Sequence, residues 1–394
     1  MLVWRSEKGH FSVYTVSIMP AASIPDMVID MRRLARRSGE SPARENMGRP
    51  RVLIIGNLAS AWGGTPAVCE GLASRLESRG WVVTATSTRQ PRIQRLANML
   101  ATVWRRRREY DVAMVDVFSG PAFVWAETVC HLLKALKKPY VLVLHGGGLP
   151  SFAIRSRRRV ERVVRGAAAV VAQSQYLAGI AGGSGPIVEF IPNPIDVDQC
   201  PFRLRDSPSP ALVWLRSFHR IYNPSLAVRV VGLLAKELPE IALTMIGFDK
   251  GDGSLDEARE LAATLGVERN VRFQTAVPKR DVPTWLNRAD LFLNTTNVDN
   301  TPVSVQEAMA CGLCVVSTSV GGVPYLVGDA VEGLLVGPDD AQAMADAVRR
   351  LLNDPALAAR LSMAARRRVE TMDWPVVVDA WEDLLYSVSP ADRF

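Results

Sequence analysis

Two carboxylates, Asp299 and Glu307, stand on either side of Pro302 in the stretch NTTNVDNTPVSVQEAMACGLCVVSTSVGGVP, Asn294 to Pro324. The polar NVDN turn and the Thr-Pro pair after it predict a helix start, with Thr301 as a capping candidate and Pro302 as the first helical residue. A helix rises about 1.5 Å per residue, so Glu307 lies roughly 7 to 8 Å along from Pro302, and its side chain leans back toward the helix N-terminus. Both acids then address one mouth. Unpaired N–H groups and the positive end of the helix dipole lie between them, a setting that suits an anion. Spacing alone equally allows a structural pair, with Asp299 in a turn and Glu307 solvated.

Other residues at strand ends complete the set. VLHGGGLP puts His145 beside Gly146 and Gly147, where an imidazole can hydrogen-bond a substrate hydroxyl or phosphate or move a proton. WLRSFHRIYNPS puts Arg216 where the chain leaves a strand, with Arg220 one short loop later. A guanidinium fork matches phosphate oxygens, so Arg216 is a diphosphate anchor candidate. In GNLASAWGGTPAV, Gly63 and Gly64 allow close approach of backbone to a ligand at a helix entrance. Taken together these groups fit a nucleotide sugar: one acid for ribose hydroxyls, the arginine and the dipole for the diphosphate, the other acid for the sugar. The glycines do not form G-x-G-x-x-G and TSTRQPR offers no acid for a ribose, which disfavours a nicotinamide dehydrogenase.

The elements that must hold these residues are short β-branched runs alternating with helical stretches from Arg51 onward, the signature of parallel βαβ units. Strands are expected to start near Val52, Trp81, Val112, Tyr140, Ala168 and Val188. After the junction PFRLRDSPSP a second set starts near Ala211, Ala242, Val271, Asp290, Cys314 and Gly333. The expected fold class is α/β, two Rossmann-like doubly wound parallel-sheet domains facing across a cleft. Residues 1–49 read as a poorly ordered extension, 50–203 as the first domain, 204–372 as the second, and 373–394 as a C-terminal helix. Ligands of such sheets lie beyond the carboxyl ends of the strands, which here means the cleft.

With 394 residues the chain has room for two domains, and 48% apolar with 22% charged residues is ordinary for a globular protein. The net charge of +7 is concentrated in WRRRREY, KALKK and IRSRRRVERVVR of the first half, clusters that suit an anionic membrane or acidic acceptor or serve as solvated helix faces. Nucleic acid is disfavoured, since no recognition motif or aromatic platform accompanies them. Five cysteines without framework spacing argue for a reducing compartment. The lone pair Cys311 and Cys314 reads as buried packing, not as a metal site. No apolar run reaches the roughly 20 residues that span a bilayer, and the N-terminal segment lacks a signal-peptide pattern. A cytoplasmic protein, at most peripheral on the membrane face, is expected.

The GG turn, HGGGLP, IPNPID, the arginine after the junction, and D-x7-E followed by AMACGLCVVST and GGVP resemble GT-B retaining glycosyltransferases of family 4, over Arg51 to the C-terminus. The resemblance implies transfer of a sugar from a nucleotide-diphosphate donor to a glycan or lipid-linked acceptor, with retention and with no metal or other cofactor. It implies that Glu307 contacts the donor ribose, Asp299 the transferred sugar, Arg216 the diphosphate and His145 the donor sugar. Backbone amides around Asn300 to Val303, the stretch with Thr301 and Pro302, would hold donor oxygens. It also implies that the last helix crosses back onto the first domain. The chain departs from the pattern in having Asp299 where Glu is usual, IYNPS in place of a Lys-Gly pair, which leaves Arg220 as the nearby cation, and Tyr325 after GGVP. A sugar-nucleotide epimerase, a phosphorylase-like protein and a non-catalytic sugar-nucleotide or glycan binder are the competing readings.

Overall fold

The computed structural model describes residues 48–62, 67–181, 185–275 and 277–389. Gly63 and Gly64 and most of the N-terminal extension lie outside the described residues. The described residues from 48 onward form one compact unit. It is built on two six-stranded sheets whose paired strands are all parallel.

The first sheet contains β1 (Val52–Ile55), β2 (Val83–Thr86), β3 (Val112–Val117), β4 (Tyr140–Leu144), β5 (Ala169–Ala172) and β6 (Ile187–Phe190) in the order β2-β1-β3-β4-β5-β6. The second contains β7 (Ala211–Leu215), β8 (Ala242–Ile246), β9 (Val271–Gln274), β10 (Leu291–Asn294), β11 (Cys314–Thr318) and β12 (Gly333–Val336) in the order β12-β11-β10-β7-β8-β9. Each strand begins within two residues of its expected start. The reason is burial on both faces. Leu53 and Ile55 of β1 enter one hydrophobic cluster while Val52 and Ile54 enter another on the opposite side. Leu291 and Leu293 of β10 are divided from Phe292 in the same way. Side chains alternate along a strand, so a sheet covered by helices on both sides demands uninterrupted apolar runs.

The helix Trp374–Val388 belongs to the core of the first sheet. Trp374, Val377, Val378, Trp381, Leu384 and Leu385 pack with Val52 and Ile54. Glu382 of this helix accepts a hydrogen bond from Trp81 Nε1 at 2.7 Å. The chain thus passes between the sheets twice, and the two passages touch: Ile195 N donates to Met372 O at 3.0 Å and Trp374 N donates to Ile195 O at 3.2 Å.

The strand order changes direction beside β1 in the first sheet and beside β7 in the second. At such a point the connections diverge to opposite sides and leave a crevice at the carboxyl ends of the neighbouring strands. Asn57, Asp116 and His145 follow or end β1, β3 and β4; Arg216 follows β7 and Asp299 lies in the loop after β10.

Candidate functional site

Arg216 is held from its main chain outward. Its N–H donates to Ile246 O at 3.0 Å, continuing the β7–β8 ladder by one residue. A Cβ placed on Gly247 would lie 1.6 Å from Arg216 O, so this approach requires glycine at 247. The guanidinium lies over the Tyr222 ring, 4.4 Å from its centroid. It is ion-paired through Nη2 with Asp299 Oδ2, and the side chain is 18% exposed. Arg216 Nε is buried and has no hydrogen-bond partner. Burial pulls this guanidinium below its ordinary pKa, against the opposing influence of Tyr222 and Glu307.

The loop carrying Asp299 is fixed from three sides. Asp299 Oδ1 accepts from Asn300 N at 2.9 Å, and Asp299 O accepts from Gly322 N at 3.1 Å. A Cβ on Gly147 would lie 2.7 Å from the Asp299 carbonyl carbon, and one on Gly321, whose φ is +55°, would lie 2.0 Å from Asp299 O. The glycine turn of the first domain and the GGVP turn of the second therefore close on the same residue, Asp299. Asn300 is bonded through its side chain to Ser174, and its Nδ2 donates to Gln173 Oε1 at 3.2 Å. Asn193 Nδ2 donates to Thr301 Oγ1 at 3.0 Å. The loop expected to face a ligand also stitches the two domains together.

The helix after this loop runs Val303–Ala310, one residue later than expected. Pro302 occupies the cap position in an extended conformation with no side-chain cap, and Thr301 does not cap because its hydroxyl serves Asn193. Glu307 lies on this helix with its side chain 9% exposed, ion-paired with Lys279. Lys279 comes from the turn after β9, and nothing in the linear pattern tied it to the two acids.

His145 directly follows β4. Its N–H donates to Val117 O at 2.9 Å, its ring stacks on Phe118 with centroids 4.9 Å apart, and Nε2 lies 3.0 Å from Asp116 Oδ1. Asp116 is the second residue that sequence reasoning passed over. Its signal was there: a lone carboxylate inside the apolar run of β3, near the carboxyl end. Arg220 is not among the converging groups. Its side chain pairs with Glu257 and its N–H donates to Asp252 Oδ2 at 2.8 Å, because two acids after β8 capture it. The cation beside Glu307 is Lys279.

Arg216, Asp299, Glu307 and Lys279 thus lie by the Val303–Ala310 helix as two ion pairs, with Gly147 of the first domain against Asp299. Two cations and two carboxylates lie there, and since Val305 N donates to Pro302 O at 3.0 Å the helix end presents the earlier amides of Val303 and Ser304. Such a rim can take an anion at the helix end and hydroxyls at the carboxylates. Cys311 and Cys314 are free and buried, and Cys314 Sγ lies 3.6 Å from Ala358 O.

Residues 203–368 match the family described as Glycosyl transferases group 1. A D-inositol 3-phosphate glycosyltransferase of Streptomyces avermitilis is 31% identical over 176 residues, covering 43% of this chain and 38% of the relative. Its namesake from Paenarthrobacter aurescens is 27% identical over 268 residues, 64% of this chain and 65% of the relative. The chain therefore spans less than two thirds of either relative. Among solved structures, Anabaena HepE in complex with UDP superposes with a TM-score of 0.68 at 18% identity, covering 86% of this chain and 100% of that one. Sucrose-phosphate synthase from Thermosynechococcus elongatus gives 0.69 at 18% identity over 86% of this chain and 99% of that one. The architecture is GT-B. Residues 203–368 are thus similar to the glycosyl transferases group 1 family, within a chain of GT-B fold.

Proposed function

We propose that this protein transfers a sugar from a nucleotide-diphosphate donor to a hydroxyl of a glycan or lipid-linked acceptor, with retention of configuration and without a bound metal ion. The observation that carries this reading is that Arg216 pairs with Asp299 just before the helix that carries Glu307, with Gly147 of the opposite domain against Asp299. Matching relatives named as glycosyltransferases, and the HepE structure with UDP, support it.

In this reading the acceptor oxygen bonds to the anomeric carbon as that carbon's bond to the diphosphate oxygen breaks. The departing diphosphate takes both the bonding electrons and the acceptor's proton, on the face from which the acceptor attacks. Negative charge grows on the leaving group, and Arg216 with the helix N-terminus is placed to stabilise it before reaction begins. Glu307, its charge balanced by Lys279, holds ribose hydroxyls. Asp299 holds the sugar once the diphosphate takes up Arg216. Asp116 orients His145 so that its other ring nitrogen is available to the sugar.

Thermal-shift measurements with UDP-, GDP- and ADP-sugars test donor binding, since a ligand of the folded state raises the melting temperature by mass action. One donor class is expected to stabilise, and product analysis with an acceptor panel should show transfer that survives EDTA. Conversion of the donor alone would point to an epimerase. Binding without turnover would point to a sugar-nucleotide-binding protein. Stabilisation by none of the three would sink the proposal.

The first domain bears a basic face. Helices Arg92–Arg105 and Arg157–Val164 both pack against Phe123–Ala135; Ile93 of the first is 86% exposed, and Ile154, in the preceding helix Leu149–Arg155, is 80% exposed. No helix among the described residues is long and apolar enough to cross a membrane. We propose that this face rests on an anionic membrane on its cytoplasmic side, where it would meet a lipid-linked acceptor. Sedimentation with phosphatidylserine vesicles should occur at low ionic strength and fade at high salt. Equal binding to neutral vesicles, or none to either, argues against it.

A further inference from the structure

We infer that Cys200 and Cys311 form a redox modification site, a dithiol that an oxidant of the peroxide class closes into a disulfide within the folded protein. Cys200 ends the first passage of the chain between the sheets, and Cys311 caps the C-terminus of the Val303–Ala310 helix that carries Glu307. Hydrogen bonds bring the two together. Arg203 N donates to Cys311 O at 3.2 Å. One guanidinium nitrogen, Arg366 Nη1, donates both to Cys200 O at 3.1 Å and to Ala310 O at 2.8 Å, so a single group spans the two backbones. A Cβ on Gly312 would lie 2.4 Å from Arg203 O, which shows how closely the segment after Cys200 runs against the turn after Cys311. Both side chains enter the same hydrophobic cluster, Cys200 4% exposed and Cys311 fully buried, and the Cys200 thiol is hydrogen-bonded to the Cys311 sulfur.

The other cysteines do not compete for this pairing. Cys314 enters the cluster on the opposite face of the second sheet, and Cys69 and Cys130 belong to clusters of the first sheet. The C-x-x-C of the sequence is therefore split by the sheet, and Cys311 meets a partner far away in the chain. The hydrogen bond from Cys200 holds Cys311 below a thiol's ordinary pKa against the effect of burial, and Arg205, whose Nη1 donates to Cys311 O at 2.6 Å, adds to it. The same bond and burial push Cys200 up, so Cys200 keeps its proton. The Cys311 thiolate attacks one oxygen of the peroxide and the O–O bond breaks. The sulfur becomes a sulfenic acid, and the departing hydroxide takes up the Cys311 proton as water. The Cys200 sulfur then attacks the Cys311 sulfur: the S–S bond forms, the S–O bond breaks, and the second hydroxide leaves as water with the Cys200 proton. Two thiols have given two electrons to one peroxide. The linkage closes the chain from the end of the first passage to the end of the Glu307 helix into one loop, which restricts the unfolded state.

The test treats the folded full-length protein with hydrogen peroxide, blocks the remaining thiols with iodoacetamide in denaturant, and maps the peptides by mass spectrometry. Of the five thiols, two should be lost, with the mass of two hydrogens, and the digest should contain the Cys200 peptide joined to the Cys311 peptide. Dithiothreitol should restore all five. Cys200→Ser should abolish the linkage and Cys130→Ser should leave it intact; if the first variant does not fold, the peptide map of the unaltered protein decides the matter by itself. The oxidised protein should melt several degrees above the reduced one, because the closed loop lowers the entropy of the unfolded chain. Five thiols surviving peroxide would overturn the assignment, as would a linkage between other cysteines or one that forms only after denaturation. A lower melting temperature on oxidation would also overturn it, since the bond would then be imposed against the native packing.

Discussion

Arg216→Met is expected to lower kcat/KM for sugar transfer by about 10²- to 10³-fold, the range found when one preorganised group facing a developing negative charge is removed. Methionine keeps the length and much of the apolar stem over Tyr222, so the packing loss is small. The electrostatic loss is not, because Asp299 surrenders its cation in a place where the pair is largely shielded from water. Most of the decrease should appear in kcat, since the charge on the leaving diphosphate is greater in the transition state than in the bound donor. Arg216→Lys should recover only part of the rate, a point charge lacking the planar fork. Steady-state kinetics with the donor identified by thermal shift provide the check. A loss confined to KM would place Arg216 in ground-state binding only.

Gly247→Ala should destabilise the fold by about 3 kcal/mol, the upper end of ordinary overpacking, and weaken donor binding as well. The added methyl would sit 1.6 Å from Arg216 O, and the obstacle is a main-chain carbonyl already committed to the strand end, with no rotamer to move aside. Relief requires Arg216 to shift relative to β8, which breaks the bond from Arg216 N to Ile246 O and moves the guanidinium off Asp299. Denaturant melts and donor titration should therefore both respond. A variant with full stability and full affinity would show that this junction yields more easily than its geometry implies.

The strands were legible because each is covered on two faces. Positions such as Leu291, Phe292 and Leu293 must all be apolar, and that run has no other common explanation. Asp299 and Glu307 were legible because a turn, a proline and a helix are local events with local signals. The pairing of Glu307 with Lys279 was not, since residues after β9 and on the Val303–Ala310 helix meet only through the sheet order. Arg220 shows the converse. Its nearness to Arg216 in the chain suggested a shared ligand, whereas Asp252 and Glu257, after the next strand, settle its direction. Thr301 has the residue type of a cap and sits one residue before the position that needs one, its hydroxyl drawn away by Asn193. Asn300 and Thr301 serve the seam between domains through their side chains, a demand that no linear pattern announces.

The double passage of the chain between the sheets has a mechanical meaning. Because Ile195 is bonded on both sides to the segment at Met372 and Trp374, the two crossings act as a single pivot. Separating the halves of the protein then amounts to a swing about that line, which leaves residues near the axis almost still. Thr301, bonded to Asn193 two residues from Ile195, stays with that axis.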